Sequence, residues 1–551
     1  MLYEVLPLKL FYHGVNTLTY HSELHLLPGH IVSVPLGRST SLAIVIKSPK
    51  NTSVTTKPIT SLCFDTPLPA HILPSIFWLS SYYASSANLF AKLFIPSSVA
   101  KSVTTTKNTI KTPIENPLLN SPLTPPRDRS TNHLPSMTTP QLTALKELLS
   151  RTSPHTQLLH GITGAGKTRI YLELALRQFN QQKSTIILVP EISLTPQLIN
   201  FFIQTFGEEY IVPMHSQITD KNKKILWHKL LTSSKSTPYV IIGARSALTL
   251  PVQNLHTIII DEAHEPAYYQ ENPPKYSTIR LASFISNFLK STTILGSATP
   301  LIQDYYLAKS KNSITHLTKK AINTATPPQI HLIDLTNRAD FTKNPYFSNQ
   351  LLQNLKQNLE NHHQTLIFHN RRGSSPLTIC SKCGWQATCP HCFLPLTLHE
   401  DSFSLVCHAC GYHIKVPTSC PNCHAPDVLH KGFGTKLLEN QLKMLFPHAK
   451  IARFDADNKK SESLTHNFDQ IKSGEIDIII GTQTVAKGLD LPNLATVAVV
   501  QADTGLSLPD FSAEERTFQL INQVIGRVGR GHITDTSVFI QTYQPHHPAI
   551  T

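Results

Sequence analysis

No run of 18 apolar residues occurs anywhere in the 551-residue chain, so a membrane-spanning helix is not expected. The start, MLYEVLPLKLFYHG, lacks a basic stretch followed by an apolar one, so no secretory signal is read there. Charged side chains are scarce, at 15% of residues. That scarcity is not disorder, because Ser, Thr, Asn and Gln carry the polarity and 40% of residues are hydrophobic. Acidic residues are in deficit, 35 against 49 basic ones, for a net charge of +14. A polyanion such as nucleic acid fits that balance. Cysteine is nearly missing outside one segment: of nine, only Cys63 lies outside residues 380–423. A disulfide-built protein would spread its cysteines, so the cluster reads as metal ligands and Cys63 as a small buried apolar residue. Secretion and membrane transport are disfavoured, and a cytoplasmic protein is expected.

The length suggests three or four domains at roughly 100–200 residues each. Residues 1–100 read as a small mixed β domain. There, 30–48 alternates around Pro-Leu-Gly-Arg like a hairpin, and 74–96 has helical spacing. In 101–136, 21 of 36 residues are Ser, Thr, Asn or Pro, which marks a polar linker. From 137 onward short apolar runs alternate with helix-length segments, as buried parallel strands do. One series lies at 155–160, 185–190, 239–244, 257–263 and 292–298; a second lies at 364–370, 451–456, 476–482 and 495–503. The expected organisation is one α/β lobe over 137–308 and a second lobe over 309–551, with a cysteine-bearing insertion at 380–423. No short internal repeat is present.

Three motifs carry chemistry. Gly161, Ile162, Thr163, Gly164, Ala165, Gly166, Lys167 and Thr168 follow a strand and precede a helix, the context of a phosphate loop. Backbone N–H groups there close on phosphate oxygens, Lys167 reaches the β/γ-phosphates and Thr168 is a ligand for Mg²⁺. Next, the run Ile258–His264 delivers Asp261 and Glu262 at the end of an apolar strand, followed by Ala263 and His264. Asp261 suits holding Mg²⁺ through water, and Glu262 suits orienting or deprotonating the attacking water. Last, Gln523 opens a segment with Arg527 and Arg530, whose spacing places both arginines on one face. Such arginines supply charge to a departing γ-phosphate.

Eight cysteines form four pairs, Cys380/Cys383, Cys389/Cys392, Cys407/Cys410 and Cys420/Cys423. Eight thiolates suffice for two closed, structural Zn²⁺ sites. The 14 residues between the second and third pairs suit a zinc ribbon, which makes those pairs one site and the outer pairs the other. Redox dithiols and an iron–sulfur cluster are the alternatives. His391, His399, His408 and His424 read as surface groups near filled sites.

The motif order, with Gly-Ser-Ala-Thr-Pro at 296–300, resembles the superfamily 2 helicases. Segments 189–197, 243–248, 370–373 and 481–488, together with the cysteine block, resemble more closely the bacterial replication-restart helicase (PriA, or primosomal protein N′) family. The resemblance implies two RecA-like parallel-sheet lobes, a zinc-ribbon-like insertion in the second lobe and a small N-terminal DNA-binding domain of 3′-end-binding type. It implies the same nested cysteine pairing. It gives Gln141 to adenine, and Arg245 and the Leu-Thr-Pro-Gln segment to the DNA track. Ser297 and Thr299 couple hydrolysis to DNA, and Gly488 touches both ligands. Tyr268, Tyr269 and Tyr276 fall in an aromatic loop that senses single strands. The activity implied is an ATP- and Mg²⁺-dependent 3′→5′ DNA helicase with two Zn²⁺, acting on stalled or abandoned forks in replication restart. The partners implied are fork and single-stranded DNA, single-strand-binding protein, and primosome components including the replicative helicase loader; a monomer without membrane association is expected. A translocase that remodels protein–DNA complexes, a non-catalytic fork-binding loader and an RNA substrate remain as alternatives. The sequence departs from the family in three places. The linker is short for a winged-helix domain, Leu18-Thr19 stands where the family has Phe-Asp, and the chain ends at Thr551 where the family continues.

Overall fold

In a computed structural model the apolar runs become two separate parallel sheets. Described are residues 1–9, 16–52, 55–97, 99, 134–152, 155–190, 196–216, 218–321, 327–369, 378–391, 396–399, 402–408, 410–426, 428–429, 434–454, 468–482, 491–506, 510–528, 533 and 535–551. Cys392, Gly488, Arg530, most of the expected linker and the 370–373 motif lie outside them. One unit comprises Met1–Ile162 and Gly166–Lys319; the other comprises Thr163–Ala165 and Lys320–Thr551.

The first unit is built on seven strands. In spatial order they are Ile314–Leu317, Thr156–Gly161, Thr292–Ser297, Leu255–Ile260, Ser184–Leu188, Val240–Gly243 and Ile211–Met214. All neighbours run parallel. The central strands are β-branched and buried on both faces, as a covered parallel sheet requires. Parallel running brings all the C-terminal strand ends to one edge, where ligands of such sheets bind. The strand Ile314–Leu317 pairs with Thr156–Gly161, so the first unit runs on to Lys319, past the expected lobe boundary at 308.

The N-terminal strands form a six-stranded, mainly antiparallel sheet, the mixed β element expected for 1–100. Its hairpin pairs Ile31–Leu36 with Ser39–Lys47 across a two-residue turn. Gly37 takes φ +61° there, which such turns ask of their first position. Two helices, Ile72–Tyr82 and Ala87–Phe94, follow, and their apolar faces join the same hydrophobic core as the parallel sheet. Trp227, fully buried, donates its indole N–H to the Phe94 carbonyl at 2.9 Å. Trp78 stacks on Phe284 with ring centres 4.7 Å apart. This N-terminal sheet is therefore docked on the first parallel sheet rather than hung from it.

The second unit has six parallel strands in the order Gln329–Asp334, Ser537–Thr542, Leu494–Val499, Gln364–Phe368, Ile478–Gly481 and Ile451–Phe454. The cysteine segment forms its own small sheets. Thr397–His399, Ser404–Val406 and His413–Lys415 make a three-stranded antiparallel ribbon, and Ile379–Cys380 pairs with Val428–Leu429. The segment rests on the lobe through Gly384. That residue has φ +73°, and a Cβ on it would come within 2.7 Å of the Tyr543 carbonyl oxygen. Gln544 also donates to Gln386 at 3.0 Å. Among the described residues no helix is long and apolar enough to cross a membrane.

Candidate active site and metal centres

Three neighbouring strands of the first sheet each end in a motif. Thr156–Gly161 leads into the phosphate loop, Thr292–Ser297 into Ala298 and Thr299, and Leu255–Ile260 into Asp261. Gly164 and Gly166 take φ +79° and +78°, and Gly166 caps the helix Lys167–Asn180. Side chains rarely adopt that conformation, which is why glycine stands at both positions. Lys167 opens the helix, is buried, and donates from Nζ to the Gly161 carbonyl at 2.9 Å. Thr168, the next residue, is half-buried. Gln141 closes a capping box on the helix Thr139–Ser150: Thr138 N–H donates to its Oε1 at 2.9 Å. Its amide Nε2 lies 3.5 Å from the Gly166 carbonyl, which ties this helix to the phosphate loop.

Asp261 is held tightly. Its N–H donates to Leu188 at 2.8 Å, and the Tyr171 hydroxyl donates to its Oδ1 at 2.9 Å. Burial, and then repulsion from Glu262, push its carboxyl up to about 6, against the pull of Lys167. Glu262 takes φ +46°, a left-handed conformation that costs a non-glycine residue about 1 kcal/mol. His264 is buried, with Nδ1 2.8 Å from Ser297 Oγ and 3.6 Å from Glu262 Oε2. Ser297 Oγ also accepts the Thr299 N–H at 3.0 Å. Two adjacent half-buried carboxylates, one of them with its charged form poorly stabilised, form a donor set whose charge a divalent cation offsets, so the residues fit Mg²⁺.

The aromatic loop differs from the expectation. Tyr268 and Tyr276 are buried, and only Tyr269 is exposed, at 44%. Tyr268 turns inward because its hydroxyl donates to the Asp261 carbonyl at 2.7 Å, and a buried phenol needs such a partner. The pairs Tyr269–Gln270 and Tyr276–Ser277 form a hairpin. Arg245 donates to the Ala267 and Tyr269 carbonyls, both at 3.2 Å, and Ser277 N–H donates to the Tyr83 hydroxyl at 2.9 Å. Neither Tyr171 nor Tyr83 stood out in the sequence. The position of Tyr171, four residues after Lys167 on the same helix face, was the available signal.

In the second unit, Gln523 lies in the last turn of the helix Ala513–Ile525, and Arg527 follows in a turn closed by its N–H to the Val524 carbonyl at 3.0 Å. The sulfurs of Cys380, Cys383, Cys420 and Cys423 all lie within 4.8 Å of one another, with two contacts of 3.6 Å. A tetrahedron with 2.3 Å metal–sulfur bonds has edges of about 3.8 Å, so this set fits a four-thiolate metal site. Cys389, Cys407 and Cys410 make the second cluster, with Cys389 and Cys410 Sγ 3.6 Å apart. The outer pairs thus meet each other, as the spacing suggested. His391, His399, His408 and His424 are exposed and belong to neither cluster.

Residues 6–96 match the model of a 3′ DNA-binding domain (3′BD), 135–302 that of the type III restriction enzyme res subunit, and 429–532 that of the helicase conserved C-terminal domain. The chain is 36% identical over 532 residues to the replication restart protein PriA of Rickettsia conorii, covering 95% of this chain and 78% of that protein. It is 40% identical over 402 residues to that of Chlamydia trachomatis serovar D, covering 72% of this chain and 53% of that protein. The chain thus spans about half the length of some of the curated relatives it matches. A structure of RecG bound to a three-way DNA junction covers 87% of this chain and 55% of that one, with a TM-score of 0.44 and 14% identity.

Proposed function

The chain belongs to the replication restart protein PriA family, and on that premise we propose that it is an ATP-dependent 3′→5′ DNA helicase that recognises stalled or abandoned forks and initiates restart. The observation that carries this reading is the meeting of three motifs at adjacent C-terminal strand ends: the phosphate loop, Ser297 with Thr299, and Asp261 with Glu262. Lys167 binds the β/γ-phosphates, and the loop N–H groups cradle them. Thr168 and Asp261 would hold Mg²⁺, which neutralises phosphate charge when bound. Glu262 orients the attacking water and takes its proton. His264, bonded to Ser297, ties the hydrolytic residues to the segment that reports on DNA. Arg527 and Arg530 supply charge to the departing phosphoryl group, and Gln141 reads adenine. The N-terminal domain engages fork DNA.

Two Zn²⁺ are assigned to the cysteine clusters, with Cys392 completing the inner one, as structural ions. The zinc-bearing segment serves strand separation or partner docking. The protein partners proposed are single-strand-binding protein and primosome components, including the replicative helicase loader. ATP hydrolysis measured with single-stranded DNA, fork DNA and RNA, alongside unwinding of the fork, tests the reading. Stimulation by DNA with unwinding supports a helicase. Stimulation without unwinding leaves only a translocase, and no hydrolysis rejects the enzyme.

A further inference from the structure

Tyr171 sits where all three motif strands converge, yet none of the motifs contains it. It lies four residues after Lys167 on the helix Lys167–Asn180, its ring is 1% exposed, and its hydroxyl donates to Asp261 Oδ1 at 2.9 Å. The ring passes so close to the strand Thr292–Ser297 that a Cβ at Gly296 would collide with the Tyr171 hydroxyl. The main chain of Asp261 is pinned as well, by its N–H to Leu188 and by the Tyr268 hydroxyl on its carbonyl. With the backbone fixed, one bond to Oδ1 sets the plane of the carboxylate and hence the direction of Oδ2.

We propose that Tyr171 is a positioning residue for the nucleotide's divalent cation: its hydroxyl locks the Asp261 carboxylate in the orientation that holds the ion and its water. The proposal rests on the ATPase reading above. Its logic is preorganisation, since a ligand whose rotamer is already set loses less freedom on binding. The glycine at 296 belongs to the same device, because it makes room for the hydroxyl. Tyr268, which bonds only the main chain of Asp261, supplies the internal comparison.

The test uses the full chain with Tyr171→Phe and, separately, Tyr268→Phe. Both substitutions keep a buried ring and remove one hydroxyl. A fluorescent ADP analogue is titrated with Mg²⁺ and, separately, in EDTA, and the Mg²⁺ concentration for half-maximal ATP hydrolysis is measured. In Tyr171→Phe the affinity in EDTA should match wild type. The gain in affinity on adding Mg²⁺ should shrink about tenfold, the scale of one hydrogen bond to a charged group, and half-saturating Mg²⁺ should rise alike. Tyr268→Phe, which leaves the N–H bond of Asp261 to Leu188 in place, should shift the Mg²⁺ dependence less than Tyr171→Phe does. An unchanged Mg²⁺ dependence in Tyr171→Phe overturns the proposal, as does an equal loss of affinity with and without Mg²⁺, or the same shift in both variants. A wild-type protein that binds the nucleotide but does not hydrolyse ATP rejects the function while the binding arm still judges Tyr171; one that binds no nucleotide rejects both.

Discussion

His264 Nδ1 lies 2.8 Å from the Ser297 hydroxyl, and that same hydroxyl oxygen accepts the Thr299 N–H. The last residue of the Asp-Glu-Ala-His run is thus bonded to the last residue of the neighbouring strand, and both groups are buried. A buried bond between two motif segments is a physical route by which a shift in one biases the other.

Ser297→Ala removes the shared hydroxyl and leaves His264 without that partner. ATP turnover without DNA should stay within a few-fold of wild type, while stimulation by DNA should fall about tenfold, a coupling loss of about 1.4 kcal/mol. Phosphate release with and without single-stranded DNA gives both quantities. A proportional loss of basal and stimulated rates would place Ser297 in hydrolysis itself.

His71 gives the N-terminal domain a pH dependence. It lies just before the helix Ile72–Tyr82, and burial pushes its imidazole down to about 4. The unfolded chain takes up a proton near pH 6.5, whereas the folded one resists until about pH 4. Stability from this group is therefore present above pH 6.5 and lost as the pH falls toward 4, by up to about 3 kcal/mol. Urea unfolding followed by tryptophan fluorescence at pH 7 and pH 5 should show this, since Trp78 and Trp227 both lie at the junction of this domain with the parallel sheet. His71→Leu should flatten the difference, and an equal pH effect in the variant would assign it elsewhere.

The cysteine clusters predict two zinc ions per chain by metal analysis under reducing conditions. Cys407→Ser should lose the inner ion and reduce unwinding more than ATP hydrolysis. Gly384→Ala should keep both ions and still impair unwinding, because its Cβ meets the Tyr543 carbonyl on which the segment rests. A zinc count near one in the wild type rejects the two-site assignment.

Fork binding should discriminate little between a 3′-OH and a 3′-phosphate at the nascent strand. The resemblance sets Thr19 where an aspartate is expected, and its cross-strand neighbour Glu4 is occupied by Thr17 at 2.7 Å and by Lys47 at 3.2 Å. A carboxylate so neutralised repels a phosphate weakly. Competition between the two fork ends at fixed salt measures this. A tenfold preference for the hydroxyl, about 1.4 kcal/mol, would show that a carboxylate reads the end after all.

The central strands were legible because each is a short β-branched run buried on both faces, such as Thr-Ile-Ile-Leu over 185–188 and Ile258–Ile260. Among the described strands of the two parallel sheets, four escaped notice. Ile211–Met214 carries Pro213 at a sheet edge, and Gln329–Asp334 is an edge strand with exposed Ile330 and Leu332. Ile314–Leu317 is four residues long with a polar centre, and Ser537–Thr542 is framed by Ser, Gln and Thr. Missing Ile314–Leu317 also moved the expected lobe boundary. The cysteine pairing followed from spacing alone, because a ribbon needs a fixed loop between knuckles. The hydroxyl bonds of Tyr171, Tyr83 and Tyr268 did not, because a partner distant in sequence leaves no local pattern, and the resemblance set Tyr268 in a single-strand-sensing loop instead.

Lys167→Ala tests the central claim most directly. The account predicts that DNA-stimulated ATP hydrolysis falls at least about 100-fold, some 2.7 kcal/mol of lost transition-state stabilisation. Fork binding, which depends on phosphate contacts elsewhere and weakens with salt, should stay near wild type. Phosphate release and fork binding are measured on the same preparation. Wild-type hydrolysis in the variant would contradict the assignment of this loop, and with it the reading of the chain as an ATP-driven motor.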